Sequence, residues 1–195
     1  GAAGGAGGAG GMMMMHPAMP AMGAQIDRAG RAAVSTALIA TFNGDTDAKN
    51  ARKDEYNAAA PDAWAGFAAD IKGSLAIYDA LDTVCGNQAL YGAGFVEGDE
   101  TSNYATFAGA LVDDRIYVDT SDTVTSCAVY LGVEAQATGL LENTDCGGRR
   151  PADDTIDPTL SLMVLGAVGG VGDGIDADNV MHPAEFPWLA APVAE

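Results

Sequence analysis

The sequence predicts a mainly α (α+β) protein: a compact helical domain with a few short strands, preceded by an extended N-terminal tail. The first observation is an apolar stripe in residues 61–82 that recurs at intervals of three and four, as on one face of a helix. The second is the uncharged, low-complexity Gly/Ala/Met segment of residues 1–24, whose side-chain charge is limited to His16. A length of 195 residues suits one main core, so we assign residues 25–195 to a single globular domain.

In the first half of the domain, residues 32–40 form an apolar stretch that suits a short helix or a buried strand. Thr46 or Asp47 is expected to cap a polar helix that runs to about Ala60, with Tyr56 as its apolar anchor. Pro61 suits the first turn of the next helix. The side chains of its stripe are Trp64, Phe67, Ile71, Leu75, Tyr78 and Leu81.

In the second half, a helix over residues 102–112 is predicted, with Thr101 or Ser102 as its cap and Asp113 and Asp114 after its end. Residues 115–119 alternate as in a half-buried strand, and residues 129–137 suit either a strand or a helix. The remaining signals are an Asp157-Pro158 helix start, a Gly169-Gly170 helix end and a closing segment that buries Phe186 and Trp188.

The charge balance excludes one class of partner. The chain has 27 acidic and 9 basic residues, a net charge of −18 at pH 7. Such a surface repels phosphates, so we exclude nucleic acid as a partner. Lysine is confined to positions 49, 53 and 72, a composition shared by acidic exported proteins and by proteins of high-salt environments.

Cysteine usage and the N-terminus favour an exported protein, periplasmic or extracellular. Cys85, Cys127 and Cys146 lack the spacing of a zinc or thioredoxin motif, which leaves one disulfide and one free thiol, with three pairings open. The chain starts with Gly and shows no signal-peptide pattern, as expected of a processed chain. Pro17 and Pro20 interrupt the N-terminal segment, so we expect no spanning helix of its own.

Several phrases, in a fixed order over residues 24–192, resemble a known family. They are Ile26-Asp-Arg-Ala-Gly-Arg, Asp82-Thr-Val-Cys-Gly-Asn-Gln, Leu111-Val-Asp-Asp-Arg, Asp145-Cys-Gly-Gly-Arg-Arg-Pro, Gly172-Asp-Gly-Ile-Asp-Ala-Asp and Phe186-Pro-Trp-Leu. The chain resembles exported bacterial proteins related to the domain-of-unknown-function 4331 family, although it lacks the Ser-His-Arg-Glu-Ala-Pro-like start of longer members. The resemblance implies export and supplies no catalytic residues.

An acidic loop provides the candidate metal ligands. Asp173, Asp176 and Asp178 lie in a Gly-rich loop and could supply hard oxygen ligands to Ca²⁺. The EF-hand register fails, because Ile175 and Ala177 occupy positions where oxygen donors belong. The alternative is a solvated turn in which the Asp side chains accept bonds from nearby backbone N–H groups.

A second metal hypothesis rests on sulfur and imidazole. Met12 to Met15, His16, Met19 and Met22 form a thioether-rich run, and the tetrapeptide Met-His-Pro-Ala occurs at residues 15–18 and 181–184. Thioether and imidazole suit Cu(I), and two such phrases could converge on copper or haem iron. The alternative is that methionine is an adaptable apolar filler at a partner surface.

No catalytic and no cofactor-binding residues are assigned. The two histidines each precede a proline, and no nucleophile-elbow or zinc-protease motif is present. The adjacent acids at 113–114 and 153–154 are more typical of caps and surface charges than of a hydrolase. We therefore expect an exported, non-enzymatic structural subunit, a homo- or hetero-oligomer that docks on other protein subunits through its N-terminal tail. The alternative is a metal-binding or electron-transfer accessory protein.

Overall fold

The computed structural model describes residues 28–81, 83–91, 103–121, 123–124, 126–177, 180–183, 185 and 189–190. This part of the chain is mainly helical, which confirms the predicted fold class, and it contains no sheet. The tail predicted at residues 1–24, Phe186 and Trp188 lie outside the described residues. Among those described, no helix combines the length and the apolarity that a membrane crossing needs.

The first helical element is a π-helical turn, Val34–Leu38, which decides between the helix and the strand expected there. Helix α1 follows at Thr46–Ala58. Its cap is Asp45 and not the predicted Thr46 or Asp47, because the Asp45 carboxylate accepts hydrogen bonds from the Asp47 and Ala48 backbone N–H groups. Tyr56 is fully buried, as predicted for the anchor of this helix.

The apolar stripe predicted over residues 61–82 divides into two elements. Pro61–Phe67 is a 3₁₀ helix and Ala68–Asp79 is helix α2. Ile71 and Leu75 are fully buried in α2, whereas Leu81 is 64% exposed. The prediction was wrong for Leu81 because the helix ends before the stripe does.

Three shorter helices follow: α3 at Ala105–Leu111, α4 at Gly132–Ala137 and α5 at Ile156–Leu165. The predicted caps of α3, Thr101 and Ser102, lie outside the described residues. Helix α5 starts before the predicted Asp157-Pro158, because Asp154 accepts bonds from the N–H groups of Ile156 and Asp157. It ends at Gly166, before the predicted Gly169-Gly170.

Gly166 ends α5 because its backbone is left-handed, with φ of +63°, and because a Cβ there would overlap the carbonyl oxygen of Asn87. The strand predicted at residues 115–119 is reduced to one isolated antiparallel bridge between Val118 and Gly147. Val118 is 55% exposed, and the described residues supply no second strand to extend this pairing.

The core surrounds α2. This helix packs against α3, α5, the π-helical turn and the 3₁₀ helix. Its Ser74 hydroxyl donates to the Leu38 carbonyl oxygen at 2.8 Å, so this buried carbonyl oxygen of the turn is satisfied. The large buried side chains of the core are Val34, Leu38, Ile39, Tyr56, Phe67, Ile71, Leu75, Tyr104, Phe107, Leu111 and Met163.

Candidate functional site

The described residues form an apolar groove between α3, α4 and α5, with a volume of about 710 Å³. We call it the α3–α4–α5 groove. This volume and the mostly apolar lining are typical of a binding site. The apolar side chains of its wall are Leu90, Phe107, Leu111, Leu131, Val133, Leu140, Leu141, Pro158, Leu162 and Val168.

Helix α4 forms the wall that contributes no residue to the core cluster. Leu131 enters this helix in a left-handed conformation, and its N–H donates to the Gly148 carbonyl oxygen at 3.1 Å. The Cys127–Cys146 disulfide closes the loop that contains α4. The position of the α4 wall is therefore set by a covalent link and by backbone hydrogen bonds.

Asp145 anchors the same loop. Its buried carboxylate accepts bonds from the N–H groups of Ala128, Val129 and Gly147 at 2.8 to 3.1 Å. Burial raises the pKa of Asp145, but these bonds and one from Ser126 outweigh it, so the pKa lies below its ordinary value. The carboxylate thus holds the two ends of the loop together in its ionised form.

An ion pair lies in the groove wall. Arg31 Nη1 is 3.9 Å from Glu134 Oε1, and both side chains are about nine-tenths buried. Arg31 also donates from Nε to the Asp113 carbonyl oxygen at 2.6 Å, and Glu134 Oε1 accepts from the Tyr117 N–H at 2.8 Å. These contacts join the beginning of the domain to α4.

Asp114 completes this junction from the other side. Its carboxylate accepts bonds from the Gly30 and Arg31 backbone N–H groups at 3.2 and 2.9 Å. Gly30 is required there, because a Cβ at this position would overlap the carbonyl oxygen of Asp114. Asp113 is paired with Arg115, whose hydrogen bonds lower the pKa of Asp113 to about 2.

The remaining polar side chains of the groove add little charge. Burial raises the pKa of Tyr130, an effect partly opposed by Arg149, Arg31 and Thr159. Among the described residues of the lining there is no His, Cys, Ser or Lys. What this lining can do is remove apolar surface from water.

The predicted calcium ligands lie elsewhere, on the exposed loop after α5. Asp173 Oδ1 accepts a bond from the Ile175 N–H at 2.8 Å, as expected for the turn alternative. Its own N–H donates to Asp157 Oδ1 at 2.8 Å. Asp176 is exposed, and Asp178 lies outside the described residues. Within the described ranges, no three His, Cys, Asp or Glu side chains are arranged to hold a metal ion. The calcium site stays a prediction.

The copper and haem hypothesis depends on residues 12–22, which the structure does not describe. Of the second Met-His-Pro-Ala phrase, Met181 is 92% exposed and His182 Nδ1 accepts a bond from the Ala190 N–H at 3.2 Å. The acidic pairs have structural contacts: Asp153 forms an ion pair with Arg150, and Asp154 caps α5.

The prediction of one disulfide and one free thiol is confirmed. Cys127 and Cys146 are joined by a disulfide, and Cys85 is a free, exposed thiol. The sequence left the three possible pairings open, and the structure selects this one.

Sequence reasoning missed the α3–α4–α5 groove. It identified Phe107 and Leu111 as apolar helix positions but gave no role to Arg31 or Glu134. The sequence did contain a signal that Glu134 has a partner. It is the one charged residue in residues 129–141, a mainly apolar stretch. Comparisons with protein-family models, curated proteins and solved structures found no match for this chain.

Proposed function

We propose that this chain is an exported, non-enzymatic subunit of a larger assembly, and that it accepts an apolar segment of a neighbouring copy in the α3–α4–α5 groove. The observation that carries the proposal is the groove itself, a concavity of about 710 Å³ with mainly apolar walls. Large uncovered apolar surfaces of this kind mark sites of association.

The rim of the groove also favours a macromolecular partner. Val168 is 71% exposed, and Leu140 and Tyr117 are 38% and 41% exposed. A small molecule inside the groove would leave this rim in water, whereas a peptide segment that crosses the groove would cover it. Each Leu-sized or Met-sized side chain that becomes fully buried contributes about 1.5–3 kcal/mol.

A second copy is the simplest source of such a segment, because the chain itself contains an uncharged apolar stretch at residues 1–24. Export is supported by the Cys127–Cys146 disulfide, since such bonds persist in oxidising compartments.

The test is the molar mass of the purified full chain by sedimentation over a range of concentrations. We expect assemblies whose mass falls towards that of one chain in the variant Val168→Asp, because a carboxylate in the groove would lose its hydration without a partner. Leu81→Asp is the matched control, since Leu81 is similarly exposed and lies outside the groove. A wild-type chain that stays monomeric, or a Val168→Asp variant that assembles as the wild type does, would contradict the proposal.

A further inference from the structure

We infer that the occupant of the α3–α4–α5 groove is the segment of residues 12–22 from a second copy of the chain. The inference rests on the proposed function and deepens it, because it names the segment that docks and the direction in which subunits are joined.

The composition of residues 12–22 matches the groove. The segment contains six of the eight methionines of the chain and no Asp, Glu, Lys or Arg. Methionine side chains are unbranched and adapt to irregular apolar surfaces. The groove offers such a surface, with walls of mixed shape that include Phe107, Val133, Leu140, Pro158 and Val168.

Charge favours this segment over any contact between whole domains. All 27 acidic and 9 basic residues lie after residue 24, so each domain carries the full charge of −18. Two such surfaces repel each other when they approach. An uncharged arm allows the subunits to bind while the acidic surfaces stay apart.

Arg28, the first described residue, lies beside the groove and does not line it. The Arg28 guanidinium lies 3.8 Å from the ring centroid of Tyr56 and 4.6 Å from that of Trp64, and neither aromatic residue lines the groove. Arg31, three residues later, lies in the groove wall. The Arg28 guanidinium also donates to the Val112 carbonyl oxygen at 2.6 Å, next to the groove residues Leu111 and Asp113. Arg28 therefore lies at the edge of the groove, and mixing of labelled and unlabelled chains distinguishes docking in a second copy from docking in the same chain.

The arm has a limited reach. Five residues separate Met22 from Arg28, a linker that can span at most about 20 Å. Because the arm and the groove are different surfaces of one chain, such docking joins subunits into a pair that exchanges arms, a larger ring or a filament.

The experiment places a photo-crosslinking amino acid at Met14 in the full chain. Equal amounts of ¹⁵N-labelled and unlabelled protein are mixed, assembled and irradiated, and the crosslinked peptides are identified by mass spectrometry. We expect crosslinks to residues of the groove wall, such as Phe107 and Leu140, that join labelled to unlabelled chains. In the Val168→Asp background the yield should fall about tenfold or more, and in the Leu81→Asp background it should be unchanged.

Crosslinks that join only residues of the same chain would overturn the inference, as would crosslinks that land outside the groove. The molar mass of the variant Met14→Asp, measured by sedimentation, distinguishes assembly through the groove from docking of residues 12–22 in it. If Val168→Asp dissociates the assembly and Met14→Asp does not, the proposed function stands and this inference fails. If neither variant lowers the mass, both fail.

Discussion

Two regions of the molecule are held together by different forces. Residues 28–81, with the π-helical turn, α1 and α2, bury large side chains such as Leu38, Tyr56 and Leu75 completely. In residues 126–150, the buried positions are Gly132, Asp145, Cys146, Gly147 and Gly148. The first region depends on apolar burial, whereas the second depends on a disulfide and on hydrogen bonds to one carboxylate.

The difference has a consequence for the α3–α4–α5 groove. Its α3 and α5 walls belong to the core through Phe107, Leu111 and Met163, but its α4 wall belongs to the disulfide-closed loop. The α4 wall is therefore held in place by the disulfide and by hydrogen bonds, and the other two walls are held by core packing.

The largest expected effect is in the core. Leu75→Ala removes a fully buried side chain from the centre of α2 and should lower the free energy of unfolding by about 2–5 kcal/mol. Leu81→Ala is the control, because Leu81 is 64% exposed and its loss should cost less than about 0.5 kcal/mol. Urea denaturation measures both values, and similar losses would refute the division between the buried and exposed ends of the stripe.

The second largest effect is expected from removal of the disulfide. Replacing Cys127 and Cys146 together by serine opens a loop whose ends are 19 residues apart, and should lower the free energy of unfolding by about 3 kcal/mol. Amide exchange should rise in α4 and much less in α2, because only α4 lies in that loop. Cys85→Ser is the control and should leave both quantities unchanged. An equal rise of exchange in α2 would show that the two regions unfold as one unit.

The smallest effect is a dependence on pH. The folded-state pKa values of Asp113 and Asp145 lie below their ordinary values, that of Asp113 at about 2. The unfolded chain therefore binds these protons more readily, and the stabilisation is present above about pH 4 and is lost as the pH falls towards 2. The urea midpoint should fall over this interval, and Asp113→Asn should reduce the slope. A midpoint that is constant or rises on acidification would contradict these shifts.

Local patterns predicted the elements in which one face is buried. The spacing of Phe67, Ile71 and Leu75 located α2, and Tyr56 was correctly chosen as the buried anchor of α1. The exact caps were missed at both helices, since Asp45 lies one or two residues before the predicted position and Asp154 lies three residues before it. A cap depends on which carboxylate reaches the free N–H groups, and sequence spacing does not determine this.

Patterns failed where the structure depends on distant partners. Residues 115–119 alternate between apolar and polar side chains as a strand does. A strand also needs a neighbouring strand, and in the described residues the pairing is limited to one bridge between Val118 and Gly147. The groove is likewise built from parts far apart in the chain, with Arg31 placed beside Glu134 by the carbonyl oxygen of Asp113 and the carboxylate of Asp114. No local sequence pattern around Arg31 or Glu134 predicts that the two side chains lie close together.

The central claim is that the α3–α4–α5 groove is the surface on which a neighbouring copy docks, and amide hydrogen exchange measured on dilute and on assembled protein tests it most directly. We expect assembly to slow exchange in residues 107–111 and 132–141, around the groove, and to leave the exposed face of α1 unchanged. Equal exchange around the groove in the two samples, with slowing on another face of the domain, would contradict it.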